Sequence, residues 1–431
     1  MSKTVTLIAP KSGLSGSVTP PPSKSYTHRA ILLASLAEGE STIWNPLHSR
    51  DTDATIRGCI SFGAKIEDGE NSLRIRGCRP QTPDDIINVE NSGTTLRFLS
   101  SALSLTPSGF SVLTGDLSIR RRPMQPLLDS LTQLGVHAKS TRGNGCAPVI
   151  IGGGGLRGGE VKIRGDISSQ FISSLLISAP MADKDVVIKT DDVVSKPYID
   201  ATITMMRKFG AKVTNHDYSY FIVRSGTGYS GEDFTVPGDF SSASFIAGAV
   251  AMIGGEVELC GLNAELPQGD SSFLSILGSM GVEVKQREKG YMIRWNGDKL
   301  QGGTFDLTDT PDLLPVLAVL GLKCKSQLEI TGVMHARYKE TDRISTIVQE
   351  LLKLGVDITE RPDGIVIKPG KLRRAKLDAH GDHRMFMAFS MISLLFPQGI
   401  PVFGEESLDV SYPSYLEDIS KLGVIVRRQN I

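Results

Sequence analysis

The chain is 431 residues long, room for about two to four domains that each bury a core, and it balances 47 Lys plus Arg against 47 Asp plus Glu. A formal charge of zero provides no global attraction for nucleic acid or an anionic membrane, so any cationic site has to be local. Apolar residues at 40%, charged residues at 22% and 45 glycines describe a globular protein with many tight turns and exclude a disordered or collagen-like one.

Met1–Pro10 carries one Lys and a short apolar stretch broken by Thr, too weak for an export signal. Pro20–Pro22 is a stiff extended run that can neither continue a helix nor donate to a sheet. Behind it, Ser23–Arg29 opens the apolar run Ala30–Leu36, placing hydroxyls, Lys24 and exposed amides at a helix N-terminus. An anion site and plain capping by Ser23 or Ser25 both fit that stretch. Asn91–Thr95 repeats the design ahead of Arg97, with Gly93 allowing a ligand close to the backbone. Arg120, Arg121 and Arg122 then crowd before Pro123 and another helix, more guanidinium than solubility needs.

Gly153, Gly155 and Gly158 satisfy GxGxxG, but Glu160–Ile163 alternates as a strand, so no helix is offered to a pyrophosphate. No GxxxxGK[ST] occurs. Ser168–Gln170 leads into a helix over Phe171–Ala179. Thr235–Phe240 reads as a hinge before the small-residue helix Ser241–Met252. The longest apolar runs, near Phe245–Gly254 and Leu313–Leu322, fall far below the roughly 20 residues that span a bilayer. Lys339–Arg343 stands at a helix start, which puts Lys339 and Arg343 on one face; an ordinary surface ion-pair lattice is the competing reading. His380 and His383 form HxxH beside Asp382, too few ligands for zinc. Asp382–Arg384 precedes the helix Met385–Leu395, whose Met stripe reads as core.

The strongest organisational signal is a pentad of large apolar residue, Gly, Ala or Val, any residue, then a small or β-branched apolar residue. Its glycines are Gly63, Gly135, Gly210, Gly281, Gly355 and Gly423, six copies spaced 68 to 75 residues apart. Each follows an amphipathic helix and precedes a strand, so each Gly is expected at a helix C′ position. Four copies continue through a turn into a second strand, at Leu73–Ile75, Phe221–Val223, Met292–Ile293 and Gly364–Ile367. Six α/β units follow. The five cysteines are far apart and form no CxxC pair, as expected in a reducing cytosol.

Seven ordered segments, PPSKSYTHRA from Pro21, NSGTTLR from Asn91, RRRPM from Arg120, SSQF from Ser168, SKPYID from Ser195, KETDR from Lys339 and GDHRM from Gly381, make the chain resemble the enolpyruvyl transferases over essentially its whole length. Within that family the resemblance is to 3-phosphoshikimate 1-carboxyvinyltransferases (5-enolpyruvylshikimate 3-phosphate synthases). It implies an α/β protein with a two-domain inverted α/β barrel-like fold, each domain built of three βαβαββ repeats. One domain is expected over 22–236, the other over 1–21 with 237–431, and the active site in the cleft between them. The implied reaction joins phosphoenolpyruvate to the 5-hydroxyl of shikimate 3-phosphate and releases phosphate, with no metal or organic cofactor. A cytoplasmic monomer acting on these small molecules, with no nucleic acid or membrane partner, is the expectation.

Carried over by motif, the resemblance puts shikimate 3-phosphate on Lys24, Ser25, Arg29, Ser168, Ser169, Gln170, Ser195, Tyr198, Asp312, His335 and Lys339. Phosphoenolpyruvate falls to Lys24, Gly93, Thr94, Arg122, Gln170, Arg343 and Arg384. The chemistry needs a base for the hydroxyl and an acid for the methylene carbon, roles that fall to Asp312 and Glu340, with Lys24 as a further proton carrier and His383 assisting. Two departures stand out. Val410 occupies the place of a lysine common in the family, ahead of Ser411–Pro413, and His335 stands where many relatives have Asn, a contact that would then vary with pH. UDP-N-acetylglucosamine enolpyruvyl transferase is the nearest alternative, but Arg120–Pro123 lacks its reactive cysteine. A phosphosugar-binding protein without catalysis is the alternative of another class.

Overall fold

The computed structural model describes residues 3–430, which leaves Met1, Ser2 and Ile431 outside it, including the first two residues of the Met1–Pro10 stretch. All six repeat glycines adopt the left-handed backbone, with φ between 80° and 111°. Each ends a helix at the cost of only a missing Cβ.

Among the described residues twelve α-helices fall two to a repeat. The first three repeats hold α1 (Lys24–Leu36), α2 (Arg50–Ser61), α3 (Gly93–Ala102), α4 (Gln125–Gln133), α5 (Ser169–Ser178) and α6 (Lys196–Lys208). The last three hold α7 (Phe240–Ile253), α8 (Ser272–Ser279), α9 (Leu314–Leu320), α10 (Arg343–Lys353), α11 (His383–Ser393) and α12 (Tyr415–Lys421). The first helix of each pair is buried nearly all round and the second on one side. A helix without a polar face has to be buried, and α7, α9 and α11 are buried almost end to end. Gly248 lets α7 approach closely: a Cβ there would lie 2.7 Å from Met391 Cε and 2.8 Å from Val316 Cγ2.

Each repeat carries a four-stranded sheet of one pattern. In the third, Gly159–Arg164 pairs in parallel with Val186–Asp191, which pairs antiparallel with Tyr220–Val223, itself antiparallel to Val213–His216. Beyond the four copies read from sequence, the two remaining ones also complete the strand pair, one with a strand that follows the repeat glycine and one with a strand from the N-terminus. In the second repeat Ala138–Ser140 and Val149–Gly152 pair across a loop containing Gly143, Gly145 and Pro148, residues that break the alternation. In the sixth, the partner of Ile425–Asn430 is the N-terminal strand Lys3–Ile8, with Val5 opposite Arg428. The strand Leu14–Val18 likewise completes the fourth sheet, parallel to Gly255–Cys260.

The chain divides into two units, Met1–Pro21 with Gly238–Ile431, and Pro22–Pro237. The N-terminal strands belong to the first because Lys3–Ile8 lies between Val402–Phe403 and Ile425–Asn430 in its sheet and Leu14–Val18 forms the edge of another. The chain passes between units twice. Asp239 N donates to Pro21 O at 2.9 Å within one unit, and Ser23 N donates to Pro237 O at 2.7 Å within the other. No helix of the described residues is long and apolar enough to cross a membrane.

Candidate active site

In the Pro22–Pro237 unit the repeats bring helix N-termini together. Ser23 precedes α1 without a side-chain capping bond, so Ser23 is not a side-chain cap. Lys24 Nζ, in the first turn, lies 3.0 Å from Asp51 Oδ2 of α2. Arg29 is 2% exposed, and burial pulls its pKa down to about 10. Its guanidinium donates to Ser25 O, Tyr198 O and Thr202 Oγ1 at 2.8 to 2.9 Å. Three of its five N–H donors are thus used, leaving two.

At the start of α3, Gly93 sits close under two guanidinium groups. A Cβ would lie 2.8 Å from Arg122 NH1 and 3.3 Å from Arg97 NH1. Arg122 donates to Asn91 Oδ1 at 3.0 Å and to Ser118 Oγ at 3.2 Å. Gln170, in the first turn of α5, donates to Thr94 Oγ1 at 2.9 Å and accepts from Arg97 at 2.5 Å. Ser168 caps α5 by accepting from Gln170 N at 3.3 Å, with Ser169 buried beside it. Ser195 precedes α6 at φ 55°, ψ 41°, a left-handed conformation costly for a residue with a Cβ, and Tyr198 N donates to its carbonyl.

In the other unit Arg343 is the centre. It is 1% exposed and meets three carboxylates: Nε to Asp382 Oδ2, NH1 to Asp312 Oδ1 and NH2 to Glu340 Oε2, each at 2.7 Å. A second bond from NH2 reaches Asp382 Oδ1 at 3.3 Å. Burial alone would lower its pKa, but Asp382, Glu340 and Asp312 outweigh it and hold the guanidinium charged. Four donors are engaged and one remains. Asp312 also meets Arg384 at 3.0 Å through Oδ2 and Lys339 at 3.6 Å through Oδ1.

Lys339 and Arg343 do not share a helix face as the sequence suggested. Asp342 accepts from Ser345 N at 3.1 Å and caps α10, so the helix begins at Arg343 and Lys339 stays in the preceding loop. Both still reach Asp312. His335 is 4% exposed, and burial, reinforced by Lys339 and opposed by Asp312, pushes it down to about 4. With that value the imidazole is neutral at physiological pH. His383 opens α11 and is 1% exposed, whereas His380 binds Glu350 through Nε2 at 2.9 Å. Val410 is buried at the end of a short 3₁₀ segment.

Three carboxylates were missed by sequence reasoning. Asp51 pairs with Lys24, Asp382 holds Arg343 and caps α11, and Asp270, 2% exposed, accepts from Ser241 Oγ. Burial pushes Asp270 up to about 7, with Asp312 adding to the rise and Arg384 opposing it. A buried cation demands a buried counter-charge, and that was the available signal. Cys146 lies in the loop whose Gly145 carbonyl accepts from Met124 N, but burial raises its thiol pKa, the reverse of a reactive cysteine.

A family model described as EPSP synthase (3-phosphoshikimate 1-carboxyvinyltransferase) matches residues 8–419. The chain is 48% identical over 420 residues to the 3-phosphoshikimate 1-carboxyvinyltransferase of Methanothermobacter thermautotrophicus, covering 97% of this chain and 98% of that one. It is 44% identical over 423 residues to the protein of the same name from Nitrosopumilus maritimus, covering 97% and 98%. Among solved structures it is similar to an EPSP synthase from Acinetobacter baumannii, with a TM-score of 0.83, 27% identity and both chains covered in full.

Proposed function

The chain belongs to the EPSP synthase family, and from that premise we propose that its two polar clusters act on one pair of substrates, both supplying cations to the anions and the Arg343 cluster also supplying the acids that move protons. The protein is a transferase of the shikimate pathway of aromatic amino acid biosynthesis. It moves the enolpyruvyl group of phosphoenolpyruvate to the 5-hydroxyl of shikimate 3-phosphate and releases phosphate.

The hydroxyl oxygen adds to C2 of phosphoenolpyruvate while its proton leaves to a base and C3 gains a proton from an acid. The C2–O bond to phosphate then breaks, phosphate departs, and C3 returns a proton as the double bond re-forms. Two phosphates and two carboxylates repel one another. A unit pair at about 4 Å is worth about 4 kcal/mol at an effective dielectric near 20, which is why cations must surround them. Lys24, Arg122, Gly93, Thr94 and Gln170 take phosphoenolpyruvate, with the remaining donor of Arg343 and with Arg384. Ser25, Arg29, Ser168, Ser169, Ser195, Tyr198, His335 and Lys339 take shikimate 3-phosphate.

The observation that carries the proton roles is the Arg343 centre, which fixes Asp312 and Glu340 on one guanidinium at 2.7 Å each. An anion arriving at Arg384 competes with Asp312 Oδ2 and releases it to accept the hydroxyl proton. Glu340 serves the methylene carbon, with Lys24 and His383 assisting. The test follows phosphate release with both substrates, then with UDP-N-acetylglucosamine as acceptor, and measures solvent deuterium entering C3. Glu340→Gln should lose deuterium incorporation, and Asp312→Asn should lose turnover. Unchanged incorporation in Glu340→Gln would overturn the allocation. The reading also takes the protein as a cytoplasmic monomer, which light scattering across a concentration series tests.

A further inference from the structure

We infer that His28 is a positioning residue for the phosphoenolpyruvate loop Asn91–Thr94, acting through a buried chain of hydroxyls that ties three helices together. The inference rests on the assignment of that loop given above. His28 lies in the second turn of α1 and is 1% exposed. Its Nδ1 is 2.7 Å from Thr55 Oγ1 of α2, and Thr55 Oγ1 is 2.6 Å from Thr95 Oγ1 of α3. Thr95 Oγ1 is 2.6 Å from Ser92 Oγ, the cap of α3, and 3.3 Å from the carbonyl of Asp51, the residue paired with Lys24. Thr55, Thr95 and Ser92 are at most 2% exposed, so the chain is shielded from water.

Counting protons fixes the direction of the chain. The Asp51 carbonyl can only accept, so Thr95 donates to it and accepts from both Thr55 and Ser92, filling its two lone pairs. Ser92 Oγ in turn accepts from Thr95 N at 3.3 Å. Thr55 has then used its proton and must accept from His28 Nδ1–H. His28 Nε2, buried and without a hydrogen-bond partner among the described residues, is left as an unused lone pair. The reverse direction would strand a buried N–H at Nε2, which proteins avoid more strictly than an unused acceptor. The ring stays neutral because burial, with Lys24 and Arg29 nearby, pulls its pKa well below 6.5.

The chain therefore ends on both sides of the anion loop, at the carbonyl behind the Lys24–Asp51 pair and at the cap that aims the first amides of α3. Removing the Nδ1–H donor frees Thr55 to turn its proton back, and Thr95 and Ser92 lose their single arrangement. A loop displaced by a fraction of an ångström loses its fit to the ligand without unfolding the helix beneath it.

The test uses the full chain with three substitutions. His28→Leu and Thr55→Val break the chain, whereas the Nδ2 of His28→Asn stands where Nδ1 stood and can donate in its place. The expected result is a KM for phosphoenolpyruvate about tenfold higher in the first two, with the KM for shikimate 3-phosphate within about twofold, and recovery to within about twofold in His28→Asn. Nitrogen NMR of the labelled protein, with the His28 signal identified by its loss in His28→Asn, should show a protonated Nδ1 and a bare Nε2. Unchanged constants in His28→Leu and Thr55→Val, an Asn variant no better than Leu, or a protonated Nε2 would each overturn the inference. Wild-type protein without enolpyruvyl transfer would instead strike the functional assignment, and the nitrogen spectrum would still decide the direction of the chain.

Discussion

His335 should make the stability of the Met1–Pro21 and Gly238–Ile431 unit fall in mild acid. The imidazole titrates at about 4 in the folded protein and near 6.5 in the unfolded chain. Between those values the unfolded chain binds a proton that the folded one refuses, so the stabilisation is complete above pH 6.5 and is lost as pH falls toward 4. The full gap corresponds to about 3 kcal/mol, of which about 2 kcal/mol is gone by pH 5. Trp44 and Trp295 are the only tryptophans of the sequence, and Trp295 lies in the same unit as His335. Urea unfolding in a Trp44→Phe background, read on Trp295, therefore isolates that unit. His335→Gln should lose about 2 kcal/mol less than its parent between pH 7.5 and pH 5. Equal losses in the two proteins would refute the reasoning, because every other titrating group is common to both.

Asp270 carries the opposite sign. Its folded pKa of about 7 exceeds the unfolded carboxyl value, so it stabilises in acid and that stabilisation is lost as pH rises through 7; Asp270→Asn should gain about 3 to 4 kcal/mol relative to wild type between pH 4 and pH 8, by the same denaturation assay. Gly93→Ala puts a Cβ 2.8 Å from Arg122 NH1, the far end of a long side chain, so the guanidinium yields and the fold persists. Its melting temperature should stay near wild type while the KM for phosphoenolpyruvate rises about tenfold. Val410→Lys should lower that KM severalfold by adding a cation, and equal constants would remove the idea; because Val410 is 3% exposed, a drop in the thermal midpoint should accompany it.

The repeats were legible because each ends in the same local event, a helix stopped by a left-handed glycine, and local events leave local signatures. What pairs over distance was not. Lys3–Ile8 pairs with Ile425–Asn430, and nothing in either stretch names its partner. The hairpin of the second repeat was hidden by Gly143, Gly145 and Pro148, which interrupt the period that marks a strand. At the site, the cations announced themselves by crowding, as at Arg120–Arg122, while Asp51, Asp270 and Asp382 looked like ordinary residues of helix starts and turns. Asp382 does cap α11, accepting from Arg384 N at 2.9 Å, and its second task of holding Arg343 lies 39 residues away in sequence. The left-handed backbone of Ser195 gave no signal because its strain is set by the surrounding backbone rather than by its own side chain.

The two units satisfy their most buried arginines in different ways. Arg29 is held by two carbonyls and a hydroxyl, neutral acceptors that fix its direction and leave its charge intact for an anion. Arg343 is held by three carboxylates, an arrangement that locks the acids in place and leaves one N–H for a further acceptor. Deleting one partner of such a buried set leaves an uncompensated charge, at about 3 to 5 kcal/mol, so Asp312 and Glu340 cannot drift from the guanidinium without destabilising the unit. A group that trades protons with a substrate needs that fixity, since proton transfer requires heavy atoms within about 3 Å. The same balance accounts for a neutral chain with strongly charged clusters: the guanidinium of Arg343 is offset on the spot by Asp312, Glu340 and Asp382.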